Sequence, residues 1–131
     1  MPLVRIDAPA SLPAKRLRRV ADAVHDALMA HMNVPLADRF QIISRHDAQD
    51  LLIDQHYPSV ERTQEALIVT VILRAGRTDA QKQAFYRAVV ADAARNGGMK
   101  PDDVMISLGE NTSMDWSFGR GEALYAPVPS G

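Results

Sequence analysis

Two hydrophobic periods succeed one another along the chain, one of strands and one of helices. Leu3 to Asp7 reads as a short strand, and Leu12 to Met32 then takes a helical period, with Leu17, Val20, Val24, Ala27, Leu28 and His31 or Met32 on one side. Ser11 is the expected N-cap. Pro13 falls in the first turn, where a missing backbone N–H is tolerated, and Asn33 followed by Pro35 supplies the stop. The pattern predicts a helix packed on one face.

Phe40 to Arg45 reads as the next strand, and residues 46 to 65, rich in Asp, Gln, Glu and His, as an excursion with a short strand at Leu51 to Ile53. Ala66 to Leu73 is apolar at every position but Thr70, as a mid-sheet strand covered on both faces would be. Thr78 with Gln81 three residues on is a capping-box pattern that opens a second helix, which ends at Asn96, Gly97 and Gly98. Val104 to Leu108 is the strand that follows. Beyond it, Trp116 to Phe118 and Ala123 to Tyr125 predict a C-terminal hairpin.

Strand, helix, strand therefore occurs twice, with an offset of about 64 residues that relates Val4 to Ile68 and Phe40 to Val104. The expected fold is α/β (α+β): two fused β-α-β units, each a right-handed crossover, forming a four-stranded sheet with two helices on one face. The other sheet face needs cover, which points to oligomerisation. No linker or low-complexity stretch divides residues 1–131, so the expectation is one domain.

Composition narrows the function classes. At 47% hydrophobic and 24% charged residues the chain has the make-up of a globular domain. A net charge of −1 gives no overall field for nucleic acid or anionic membrane, so any anion must be bound locally. There is no cysteine, which removes disulfides and thiolate chemistry. The start MPLVRIDAP has no secretory pattern and the longest apolar run is too short to span a bilayer, so a soluble, cytoplasmic protein is expected. The four histidines show no metal-ligand spacing and the glycines no phosphate or dinucleotide fingerprint, so no metal and no cofactor are expected.

Proline directly after the initiator methionine, two β-α-β units, and the segments ADRFQI (37–42), RTDAQKQAFYRAV (77–89) and DWSFG (115–119) together resemble the malonate semialdehyde decarboxylase family of the tautomerase superfamily. The resemblance runs over nearly the whole chain. It implies a homotrimer acting on a small oxo acid, with Pro2, bared by loss of Met1, at the sheet edge. It further implies Asp38, Arg74 and Arg77 as catalytic residues, and Arg74, Arg77, Trp116, Phe118 and Tyr125 as substrate-binding ones, Tyr125 standing where phenylalanine is the family's residue. Ala75 and Gly76 separate the two arginines where the family implies a single residue, so the glycine is expected to absorb a bulge that redirects the second guanidinium.

Each residue also has a plainer reading. Pro2 could simply open an edge strand; as a free secondary amine it has an ordinary pKa of roughly 8 and works in either protonation state near neutral pH. Asp38, between a proline-containing turn and a strand, could be a turn former; near an amine it raises that amine's pKa. Arg39 is read as a structural partner. Arg77 precedes a helix N-terminus, where its charge opposes the helix dipole and has no local stabilising role, and two guanidinium forks there make a good carboxylate site. Trp116 and Phe118 suit a core or trimer interface as well as a pocket wall.

The chemistry implied is loss of carbon dioxide from a 3-oxo acid, with Pro2 as general acid or electron sink. Its alternatives are keto–enol tautomerisation of a 2-oxo acid such as phenylpyruvate, hydration or dehalogenation of an unsaturated acid, and a non-catalytic trimeric binding protein. An amide nitrogen at Pro2 is neither base nor nucleophile, so Met1 must be absent from the active chain. Protein made without an amino-terminal tag should weigh one methionine residue less than the full 14.4 kDa by intact mass. An active fraction that keeps Met1 would overturn the proline mechanism.

Overall fold

A computed structural model of the chain describes residues 1–123. Strand β1 spans Pro2–Pro9, helix α1 Ala14–His31, β2 Gln41–His46, β3 Leu67–Arg74, α2 Asp79–Gly97 and β4 Val104–Asn111, with short 3-10 turns at Ala48–Asp50, Pro101–Asp103 and Ser113–Asp115. The strands form one four-stranded sheet in the order β2-β1-β3-β4. β1 pairs with β2 and β3 with β4 in parallel, and the two central strands run antiparallel. This is the doubled β-α-β arrangement read from the sequence.

Its internal offset is one residue tighter than expected. The first paired residues are Val4 with Gln41 in one half and Leu67 with Val104 in the other. Parity requires this: Val4, Ile6 and Ala8 of β1 and Leu67, Val69, Val71 and Leu73 of β3 all face the buried core, and a one-residue slip would turn one set outward. Leu17, Val20, Val24 and Leu28 of α1 and Phe85, Val89 and Ala93 of α2 join that same core. Cross-strand partners share a face, so Leu3, Ile72 and Met105 lie on the opposite side, where Ile72 is 38% and Met105 41% exposed. β3 is central as expected, yet the chain itself covers only one of its two apolar faces.

The helix ends show which local signals governed. Thr78 Oγ1 accepts from the N–H of Gln81 at 3.1 Å and Gln81 Oε1 from the N–H of Thr78 at 2.9 Å, a complete capping box. Gly98 closes α2 in the left-handed region at φ 64°, as glycine does without a Cβ clash. At α1 the N-cap is Pro13, not Ser11, and no side chain caps it. The carbonyl of Pro13 takes the first helical bonds, from Arg16 and Leu17, while Ser11 stays in the turn after β1. Asn33 ends the helix at φ 58°, consistent with the expected stop.

Two further expectations fail. Leu51 to Ile53 is irregular, since no strand lies beside it to pair with. Residues 116–118 form no strand either; the chain leaves β4 through the Ser113–Asp115 turn, which Thr112 caps through Asp115. The second arm of the expected hairpin, Ala123 to Tyr125, lies outside the described residues from Leu124 on, and Tyr125 with it. Among the described residues, no helix is long and apolar enough to cross a membrane.

Candidate active site

The strand directions assemble one corner of the sheet. Pro2 pairs with Leu73 across the antiparallel centre, so the start of β1 lies beside Arg74, the last residue of β3. β2 runs parallel to β1, so the turn leading into it reaches the same edge and brings Asp38. β4 runs parallel to β3 and pairs Asn111 with Arg74, which delivers residues 112–118 there too. Four separate stretches of chain thus converge on a pocket of about 530 Å³ lined by Met1, Asp38, Phe40, Arg74, Arg77 and Phe118, among others. A pocket of similar volume at the far end of the sheet, beside Pro9 and His46, has no arginine or lysine in its lining.

Pro2 is buried, and the amino group of Met1 in front of it stands 3.7 Å from Asp38 Oδ2. Burial pulls the pKa of that amine below its ordinary value; Asp38 opposes the shift, and Arg77 and Arg74 reinforce it. Asp38 is itself buried, and its Oδ1 has no hydrogen-bond partner among the described residues. It does not cap its own turn through its side chain; its backbone N–H donates to the carbonyl of Pro35. A buried carboxylate with an unmatched oxygen is costly unless a cation or donor faces it, and the amine is placed to do so.

Arg74 and Arg77 both line the pocket, on either side of the extra residue. Gly76 absorbs that residue at φ 127°, a conformation that side chains other than glycine's strain to adopt. The Arg77 guanidinium turns back to the protein: Nε and Nη2 donate to the carbonyl of Met32 at 3.3 and 2.9 Å, and Nη1 to that of Arg74 at 3.1 Å. No local stabilising role was expected of a charge that opposes the helix dipole, and here Arg77 has a structural one, holding a carbonyl at the end of α1. Three of its five N–H bonds are so engaged, which leaves one on each terminal nitrogen for a carboxylate. Burial, then Arg74, depress its pKa, and Asp38 and Glu110 oppose the shift.

The aromatic wall comes from two places. Trp116 stacks on Phe118 at 5.5 Å and 4° between planes, and Phe118 meets Phe40 at 5.5 Å. Trp116 Nε1 donates to Asn111 Oδ1, so the indole backs the wall while Phe118 and Phe40 front the pocket. Phe40 was legible only as the start of a strand, although it sits two residues past Asp38 in the ADRFQI segment. Arg39 is structural as expected, bonded to Asp22 Oδ1 at 2.6 Å and to Gln41. Among the described residues, no three His, Asp or Glu side chains are grouped to hold a metal ion.

Known proteins with this arrangement agree on the family. Two family models described as tautomerase enzyme match, one over residues 38–119 and one over residues 2–60. The probable tautomerase YusQ of Bacillus subtilis is 33% identical over 94% of this chain and 97% of its own. A malonate semialdehyde decarboxylase inhibited by 3-bromopropiolate superposes with a TM-score of 0.88 at 37% identity, over 97% of this chain and 99% of its own. The wild-type fused 4-OT symmetric trimer, at 23% identity and a TM-score of 0.74 over 92% and 94% of the two chains, shares the fold.

The charge balance around the amine is open to direct titration. Asp38→Asn removes the group that raises the amine's pKa, so that pKa should fall further; Arg77→Gln removes an opposing cation, so it should rise. Nitrogen-15 NMR of the amino-terminal nitrogen reads both, and shifts of the same sign in the two variants would contradict the balance.

Proposed function

The chain belongs to the tautomerase family of enzymes, and on that premise we propose that it decarboxylates a small 3-oxo acid of the malonate semialdehyde type, with Pro2 as general acid or electron sink. The observation that carries this is the meeting of the amino terminus, a buried carboxylate and two arginines in one aromatic-walled pocket. Removal of Met1 exposes the Pro2 nitrogen as a secondary amine in that pocket. Arg74 and the two outward N–H bonds of Arg77 hold the substrate carboxylate so that the breaking C–C bond lies parallel to the carbonyl π orbitals. The bonding pair moves into the carbonyl, which the Pro2 cation stabilises by a hydrogen bond or which Pro2 has first converted to an iminium. Carbon dioxide leaves, and the enol takes a proton at carbon from solvent; on the iminium route, whose formation released water, the enamine is protonated likewise and water hydrolyses the resulting iminium, which frees the aldehyde and Pro2.

Asp38, which faces the Met1 amino group in front of Pro2 and opposes the desolvation there, is placed to do the same for the Pro2 nitrogen once Met1 is lost. Phe40, Phe118 and Trp116 exclude water, which strengthens the charge contacts and favours neutral carbon dioxide over the anion. The lowered basicity at this position also favours a second reaction, proton transfer on a 2-oxo acid such as phenylpyruvate, in which the neutral amine is the base and one arginine suffices as anchor. Similarity to a decarboxylase over almost the entire chain supports decarboxylation as the first reading.

We further propose a homotrimer in which the uncovered sheet face, including Ile72 and Met105, is buried between copies. Light scattering at micromolar concentration should return three times 14.4 kDa, and a stable monomer would refute it.

Separate alanine variants of the two arginines distinguish the reactions. On malonate semialdehyde, Arg74→Ala and Arg77→Ala should each lower kcat/KM by about ten- to a hundredfold, or ~1.5 to 3 kcal/mol. On phenylpyruvate only one of them should matter. If Arg77→Ala keeps the wild-type rate on the 3-oxo acid, or enol–keto exchange proceeds with no carbon dioxide released, the protein is a tautomerase and not a decarboxylase.

A further inference from the structure

His25 is a buried polar side chain that the chemistry above does not use. It sits within α1 at 2% exposure, and its Nε2 lies 2.9 Å from the carbonyl oxygen of Leu36. A carbonyl only accepts, so Nε2 carries the hydrogen and donates. Leu36 belongs to the turn 33–38 that leads from the end of α1 to Asp38.

That turn has little else to hold its middle. Val34 and Asp38 are buried at its two ends, but Pro35, Leu36 and Ala37 between them are exposed, the Leu36 side chain at 73%. No apolar burial therefore fixes its midpoint, which among the described residues the His25 bond ties to the core. Asp38 has no strong anchor of its own: Oδ1 is unpartnered among the described residues and Oδ2 is 3.7 Å from the amine. The carboxylate stays where the backbone turn puts it. Its N–H bonds to Pro35, the residue next to Leu36, so a shift at Leu36 passes directly to Asp38.

We propose that His25 is a positioning residue: by holding the carbonyl of Leu36 from inside α1, it fixes the turn that presents Asp38 to the amino-terminal amine. This rests on the function proposed above, in which that amine reacts. His25 does not line the pocket, so it acts through the turn, whose Asn33, Pro35 and Ala37 line the pocket beside Asp38. The groups facing the amine are Asp38 from the turn, Arg74 from β3 and Arg77 from the corner before α2. Loosening the turn weakens the first and leaves the two arginines in place.

The test compares His25→Leu, which keeps bulk but has no donor, with His25→Gln, whose amide nitrogen takes the place of Nε2. In His25→Leu the amine titration, followed by nitrogen-15 NMR, should move to lower pH, in the direction of Asp38→Asn but less far. On malonate semialdehyde kcat should fall about five- to tenfold, with KM changed less than about twofold because the arginines still hold the carboxylate. His25→Gln should restore both. In an Asp38→Asn background His25→Leu should add nothing, as expected of two residues acting in series. If His25→Leu does not fold, His25→Asn, one methylene too short to reach, replaces it. An unshifted amine titration, a loss carried by KM, or an equal further loss in the Asp38→Asn background would overturn the proposal. If Asp38→Asn and Pro2→Ala leave turnover intact, the proposed function fails instead, while the NMR comparison still reports on the tie between His25 and Asp38.

Discussion

The antiparallel pairing of β1 with β3 is the constraint on which the candidate site depends. It sets Pro2 opposite Leu73 and so puts the start of the chain beside Arg74. The core enforces this register, because Val4, Ile6 and Ala8 must face the helices together with Val69, Val71 and Leu73. Slipping the pair by one residue would expose one of these sets, and slipping it by two would keep the faces but carry Pro2 about 7 Å along β3, out of reach of the arginine. Packing outside the pocket thus fixes the spacing of Pro2 and Arg74.

The same economy appears where the helices meet the site. Arg77 holds the carbonyl of Met32 and Gln81 Nε2 donates to that of His31 at 3.2 Å, so the start of α2 is stitched to the end of α1. These bonds satisfy carbonyls that a helix end leaves without intrahelical partners. They also hold Arg77's fork rigid, with two N–H bonds left over. A guanidinium ordered by the protein loses little further freedom when an anion binds. On the function proposed, structural and chemical roles coincide in this side chain.

Much of this was legible in the chain. The two periods gave the six main elements, and the Thr78–Gln81 box and the Asn96-Gly97-Gly98 stop located α2 closely. Asp38, Arg74, Arg77 and Phe118 line one pocket with Met1, behind which Pro2 is buried; Trp116, expected to touch substrate, stacks on Phe118 and does not line that pocket. What failed did so for physical reasons. Ser11 lost the cap because a proline with fixed φ adjoins the helix. Leu51 to Ile53 and Trp116 to Phe118 have strand-like composition, but a strand exists only where a neighbour supplies the other half of each hydrogen bond. The sheet supplies none there. His25 was weighed only as a metal ligand and Phe40 only as a strand start, because a histidine on an apolar helix face and a phenylalanine at a strand start look alike whether or not a site lies beyond them.

The two β-α-β halves nearly repeat, and each has a buried aspartate at the entry to its second strand. In the second half, Asp103 accepts the backbone N–H and the hydroxyl of Thr63 at 2.7 and 2.6 Å, so the carboxylate is fully engaged by chain that runs on into β3. In the first half the chain has an end at that corner, and Asp38 faces an amine instead. Doubling the unit therefore did not double this arrangement: the carboxylate that faces an amine in one half is used in the other to tie the chain before β3 to the entry of β4. On the function proposed, each chain has one site, and its second corner serves the fold alone.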